Sequence, residues 1–223
     1  MLELTAFLGN PGREYSRNRH NAGFLFAENL GFYSALSWQK KFKGSYASLE
    51  KSRIILPQAL SGEEPLHYED KLHDDNKLHF IKPETYMNLS GLSVFQAASF
   101  FRIKLNAILV VHDELELPLG TISLKFGGGL GGHNGLRSMK ACFGSADFWR
   151  LRIGIGRPDQ RLPGAGGQEG SGAGIVDWVL SNFSTAETEI LDKVMEAGTE
   201  LFHKALLKDP ISLLPEWGKK KIL

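Results

Sequence analysis

What the chain lacks removes several classes of protein. A single cysteine, Cys142, in 223 residues leaves no intrachain disulfide and fits a reducing cytosol. Neither sign of charge is in excess: 26 Lys and Arg stand against 25 Asp and Glu, a formal net charge of +1. A polyanion would therefore have to be met by a local basic patch. No apolar run is long enough to span a bilayer. The opening MLELTAFLG has no basic region of the kind that begins a signal peptide, and it reads as a first strand. A phosphate loop of the form G-x-x-x-x-G-K-[ST] is absent, and no internal repeat is visible.

What is present is enough apolar residue, 42% of the chain, to bury a substantial core in one domain. The order of elements predicts an α/β fold: a single domain with a twisted mixed, largely parallel central sheet and helices on both faces. Leu2–Leu8, Leu78–Lys82, Ala107–His112, Thr121–Phe126 and Leu151–Ile155 read as strands, and Ala107–His112 as the most deeply buried. Ser45–Leu49 and Arg53–Leu56 are expected to form a hairpin. Helical patterns cover Asn21–Gly31, Ser90–Phe101 (with Ser90 as N-cap) and Leu136–Phe143. Ile175–Phe183 follows a Gly-rich insertion, Pro163–Gly174. Ser184–Glu187, S-T-A-E, is a capping-box signature opening a helix with Ile190, Leu191, Val194 and Leu201 on one face. Residues 1–208 make the expected domain, with surface insertions near 61–76 and 160–174. Residues 209–223, including Lys219–Lys221, are expected as a solvated tail.

The stretch Gly127–Ser138, GGGLGGHNGLRS, strips side chains away so that backbone can approach a ligand closely. Gly127, Gly129 and Gly132 also satisfy the dinucleotide fingerprint G-x-G-x-x-G. Its context argues otherwise. The strand before it carries Ser123 and Lys125 rather than a continuous apolar run. The acidic residue Asp147 precedes the next strand instead of following it.

Three further constellations carry polar chemistry. After the first strand, Gly9, Pro11 and Gly12 force a turn around Asn10, and His20 stands at the start of a helix-like segment. There the helix dipole favours the neutral imidazole that a general base requires; a capping or surface histidine is the alternative. Asp113, at the end of the buried strand, can fix an imidazole's tautomer and stabilise its cation, or form a structural salt bridge. A metal on His112, Asp113 and Glu114 would need a bend, because strand neighbours face opposite sides. In KPETYMNLSG, Asn88 falls near a helix start. With Asn10 and Asn134 it makes three amides suited to orienting a substrate and meeting an oxyanion, or three unrelated turn asparagines.

Taken in order, FLGNPGREYSRNRHNAGF, KPETYMNLSG, VVHDELELPLG, LKFGGGLGGHNGLRS and FWRLRIGIGRP resemble the bacterial-type peptidyl-tRNA hydrolases, over essentially the whole chain. The resemblance implies an enzyme that cleaves the ester joining a peptide to the 3′ end of tRNA, recycling tRNA from abandoned translation. It also implies a cytoplasmic monomer with no cofactor, metal, membrane or obligate protein partner. By the same resemblance His20 is the base that activates water and Asp113 the carboxylate that orients it. Asn10 contacts the 3′-terminal nucleotide region. Asn88 and Asn134 bind the peptide part, and Asn134 positions water or the oxyanion. Tyr15, Asn21, Met87 and His133 line or support the cleft. Lys125, Arg152 and Arg161 meet tRNA phosphates.

Overall fold

The computed structural model describes residues 1–53, 77–158 and 174–223. The expected strand 54–56, the polar loop 61–76, the glycine insertion 163–173 and Arg161 lie outside the described residues.

Buried strands with apolar side chains on both faces need a layer of helix on each side, and that is the architecture. Among the described residues one eight-stranded sheet runs in the order β2-β3-β4-β1-β5-β7-β6-β8. The strands are β1 Leu4–Phe7, β2 Gln39–Lys41, β3 Gly44–Glu50, β4 Lys77–Pro83, β5 Ile108–Glu114, β6 Thr121–Phe126, β7 Trp149–Gly154 and β8 Lys220–Lys221. The four central strands β4, β1, β5 and β7 are parallel. The flanking strands are antiparallel. The period of two sorts side chains cleanly. Leu109 and Val111 join Phe7, Phe26, Phe202 and Trp217 in one core. Val110 joins Leu4, Ala6, Leu8, Leu136 and Met139 in the other.

The helices are α1 Ala22–Glu28, α2 Ser90–Phe101, α3 Asn134–Phe143, α4 Ile175–Val179, α5 Thr185–Leu207 and α6 Leu214–Trp217. The capping box forms as expected: the Glu187 N–H donates to Ser184 Oγ at 3.3 Å, and the Ser184 N–H to Glu187 Oε2 at 2.8 Å. Two glycines set how closely helices approach the site. A Cβ on Gly23 would lie 2.5 Å from the carbonyl oxygens of both Leu8 and Val111, so α1 rests directly on the ends of β1 and β5. A Cβ on Gly91 would lie 2.3 Å from the Ser138 carbonyl oxygen, where α2 crosses α3.

Several expectations are corrected. Strand β3 pairs with β2 and β4, and Arg53 closes a 3-10 turn; the rest of the expected hairpin partner, 54–56, lies outside the described residues. Ser90 is the first residue of α2, not its cap; Leu89 precedes it and offers no capping side chain. The helix expected from Asn21 begins at Ala22, and His20 sits in the 3-10 turn Arg19–Asn21 before it. Strand β6 is antiparallel to both neighbours, so the glycines after it do not open the parallel strand-to-helix unit that binds dinucleotides. The end of the chain is not a solvated tail. Trp217 is 0% exposed, and Lys220 and Lys221 pair with Ile122 and Thr121 as a strand. Burial of one large indole outweighs the freedom of the six polar residues of this segment.

Trp217→Ala should lower the unfolding free energy by about 3–5 kcal/mol, read by chemical denaturation. No change would restore the view of this segment as a tail.

Candidate active site

Parallel adjacent strands deliver their ends to one edge, where α/β sheets build clefts. Here β4, β1 and β5 are neighbours. The chain leaving β1 carries Asn10, the 3-10 turn Met87–Leu89 after β4 carries Met87 and Asn88, and β5 carries Asp113. Asn10 ties these ends together. Its side-chain oxygen accepts the Met87 N–H at 2.8 Å. Its own N–H donates to Asn21 Oδ1 at 2.8 Å, and its carbonyl accepts from Asn21 Nδ2 at 3.0 Å. Asn21 therefore acts as a bracket for the Asn10 backbone, with both of its amide atoms engaged. Met87 is buried beneath the turn, whereas Asn88 and Asn134 are exposed at the rim. Tyr15, half-buried, closes the 3-10 turn Arg13–Tyr15.

The centre is a carboxylate shared by two imidazoles. His20 Nδ1 lies 2.9 Å from Asp113 Oδ1, and His133 Nε2 lies 3.0 Å from the same oxygen. His133 caps α3: its Nδ1 accepts the N–H groups of Gly135 at 3.1 Å and Leu136 at 3.4 Å. That fixes its tautomer, because a ring nitrogen that accepts cannot carry the proton. His133 Nε2–H must then donate to Asp113. The carboxyl, ionised and facing two donors, is held far below the usual carboxylate range despite its burial. His20 in turn donates from Nδ1, which leaves its Nε2 as an acceptor when the ring is neutral. Burial pushes the His20 pKa down, but the Asp113 charge and hydrogen bond outweigh it, and the net direction is up from 6.5. The dipole argument, which favoured a more acidic imidazole, is overruled by this direct contact.

His20, Asp113 and His133 present ligand atoms within 4.8 Å of one another, close enough for a metal. The pattern of donors and acceptors is already complete with protons in those places. The other metal arrangement is overturned. His112 turns its Nδ1 to the Asp113 carbonyl oxygen at 2.6 Å, and Glu114 faces the Glu116 N–H at 3.2 Å and Arg152 Nη1 at 3.5 Å. His112, Asp113 and Glu114 do not converge.

The glycine run connects this centre to a basic cluster. Gly127, Gly128, Gly131 and Gly132 have φ between 56° and 86°, which other residues adopt only with strain. Arg150, 1% exposed, donates from Nη1 to the Gly129 carbonyl at 2.7 Å and from Nη2 to that of Gly128 at 3.0 Å. Lys125, half-buried, has its pKa lowered by burial and by the neighbouring Arg152 and Arg150. Arg152 donates to Ser123 Oγ at 2.7 Å. Sequence reasoning missed Arg150, although residues two apart on a strand share a face, and W-R-L-R places Arg150 beside Arg152. It also missed His133 as a partner of Asp113.

An imidazole with Nδ1 committed to a buried carboxylate, on the carboxyl edge of an α/β sheet, is the kind of arrangement that hydrolytic enzymes use. Comparison with known proteins narrows this class. The family profile described as peptidyl-tRNA hydrolase matches residues 4–220. The peptidyl-tRNA hydrolase of Treponema pallidum (strain Nichols) is 42% identical over 225 residues, covering 100% of this chain and 97% of that protein. That of Nitratidesulfovibrio vulgaris (strain DP4) is 41% identical over 193 residues, covering 86% and 85%. The crystal structure of the peptidyl-tRNA hydrolase from Acinetobacter baumannii superposes with a TM-score of 0.72 at 30% identity, covering 97% of this chain and 96% of that one. The chain belongs to the peptidyl-tRNA hydrolase family.

The shared carboxylate generates a signed expectation. With Asp113 ionised, His20 should titrate above 6.5. In Asp113→Asn only burial remains, so its midpoint should fall below that of the wild type. Proton NMR titration of the ring Cε1–H reads both, and an unmoved midpoint would refute the contact.

Proposed function

We propose that this chain hydrolyses the ester between a peptide and the 3′ end of tRNA, with His20 as general base. The observation that carries the reading is the 2.9 Å contact that commits His20 Nδ1 to Asp113 and leaves Nε2 to a water. Membership of the family supplies the substrate class.

The steps follow from the geometry. His20 Nε2 takes a proton from water as the oxygen attacks the ester carbonyl. Asp113 stabilises the imidazolium that forms. Asn134, exposed beside His133 at the head of α3, meets the developing oxyanion or the attacking water. The tetrahedral intermediate then collapses. The ribose oxygen leaves with the proton held by His20, and peptide acid and free tRNA result. Asn10, at the foot of the cleft, contacts the terminal nucleotide region. Asn88, on the rim, reads the first peptide bond, with Tyr15, Met87 and His133 shaping the cleft around it. An aminoacyl-tRNA lacks that peptide bond and would leave amides unpaired, which disfavours it.

Lys125, Arg152 and Arg161 supply charge for tRNA phosphates. A net charge of +1 lets the product leave while local cations give salt-dependent binding. Among the described residues no helix is long and apolar enough to cross a membrane. The chain works as a cytoplasmic monomer in the rescue of tRNA from abandoned translation.

Purified chain incubated with N-acyl-aminoacyl-tRNA should release the acyl group at the same rate with and without EDTA. An intact ester overturns the function; loss of activity only with EDTA would make the centre a metal site. His20→Ala should lower kcat by on the order of 10²–10⁴-fold while tRNA affinity holds in a filter-binding assay.

The basic cluster carries its own expectation. Lys125→Ala should raise KM and reduce the slope of log affinity against log salt by ~1, with kcat preserved. An unchanged salt slope would remove Lys125 from the phosphate contacts.

A further inference from the structure

We propose that Arg19 is a positioning residue which, through Glu187 of the α5 capping box, holds His20 against Asp113. The inference deepens the hydrolytic reading above and rests on it. The capping box is a local motif whose ordinary work is to start a helix. Here its acidic member has a second partner on the far side of the sequence.

Arg19 is the residue immediately before His20, in the same 3-10 turn. The residue is buried, 3% exposed, and its side chain reaches the segment from Trp178 to Glu187. Its Nη2 donates to Glu187 Oε1 at 2.8 Å and Oε2 at 2.7 Å. Its Nη1 donates to Ser181 Oγ at 2.7 Å and to the Asn182 carbonyl at 2.5 Å. The guanidinium lies 3.7 Å from the centre of the Trp178 ring. The backbone takes part as well. The Arg19 N–H donates to the Ser181 carbonyl at 3.0 Å, and Asn18 forms an isolated antiparallel bridge with Asn182.

A buried ion pair is weak evidence for stability, since well-packed apolar groups would hold α4 and α5 on the domain equally well. What a guanidinium fork adds is direction: the planar donors accept only a narrow range of carboxylate and carbonyl positions. That precision is spent one peptide unit from the base. A 3-10 turn of three residues gives His20 no freedom to move apart from Arg19. Glu187 is anchored by the first turn of a 23-residue helix whose buried face lies in the main core. The turn is therefore referenced to the longest helix among the described residues. Opposite it, the titratable groups facing His20 are Asp113 of β5 and His133 at the head of α3, with ring centroids of the two histidines 4.8 Å apart. The Arg19–Glu187 pair is neutral overall, and Arg19→Lys preserves that neutrality, so a shift in that variant reads position rather than field.

The test compares three variants. Arg19→Lys keeps the charge but loses the fork. Glu187→Gln keeps an acceptor for the Ser184 N–H, and so the capping box, while removing the ion pair. Ser184→Ala weakens the helix start and leaves the Arg19–Glu187 pair in place. Three quantities are read: the His20 Cε1–H NMR titration, assigned by its loss in His20→Ala; kcat and KM on N-acyl-aminoacyl-tRNA; and thermal unfolding. In Arg19→Lys and Glu187→Gln the His20 midpoint should move down. Their kcat should fall roughly 10- to 100-fold, the scale of an ångström's misplacement, with KM little changed. Ser184→Ala should lower Tm and leave the His20 midpoint and kcat at wild-type values. If Glu187→Gln folds and only loses Tm, with the His20 midpoint and kcat unmoved, Arg19 is a structural residue and the proposal is wrong. An inactive wild type would refute the hydrolytic reading alone, since the NMR titration still decides whether the clamp positions His20.

Discussion

A carboxylate buried at the end of a β-strand is the constraint on which the site depends. Asp113 is 2% exposed and ionised. An isolated charge in that setting costs several kcal/mol, so its partners are obligatory. Two imidazoles meet one oxygen, and each is held by its own element: His20 by the turn before α1, His133 by its role as the cap of α3. The direction of every proton follows. The amides of Gly135 and Leu136 make His133 Nδ1 an acceptor, His133 then donates to Asp113, and His20 is left with one open nitrogen. The chemistry of the open nitrogen is a consequence of the capping of a helix.

Close backbone approach makes this convergence possible. Gly23 lets α1 rest on the carbonyls of Leu8 and Val111, which carries the His20 turn to the end of β5. Asn10 and Asn21 then lace the end of β1 to that turn, and Asn10 reaches across to Met87 beyond β4. Two buried arginines secure the pieces that have no strand beneath them. Arg150 fastens the glycine run by the carbonyls of Gly128 and Gly129. Arg19 fastens the base's own turn to α5. In both cases a forked donor substitutes for regular secondary structure in fixing a loop.

Much of this was legible in the residues. The central strands showed as unbroken apolar runs because both faces are covered, and the capping box showed because its two hydrogen bonds are three residues apart. Asn10, His20, Asp113 and Asn134 stood out because each closes or follows a turn or strand end. Local signals failed where a distant partner decided the outcome. The dipole expectation for His20 yielded to Asp113. The closing lysines signal only charge, while Trp217, a few residues earlier, draws that segment onto the sheet.

By itself the sequence determined the α/β class, the positions of the buried strands, the helix that Ser184 opens and the motifs that mark the family. These are short-range properties, carried by periodicity, turn chemistry and residue order. Tertiary structure alone decided that His133 shares Asp113 with His20, which tautomer each adopts, that β6 runs antiparallel, and that Arg19 meets Glu187 across 168 residues. The physical reason is range: periodicity and capping act within a few residues, whereas proton positions and ion pairs depend on distances of a few ångströms that exist only after the chain has folded.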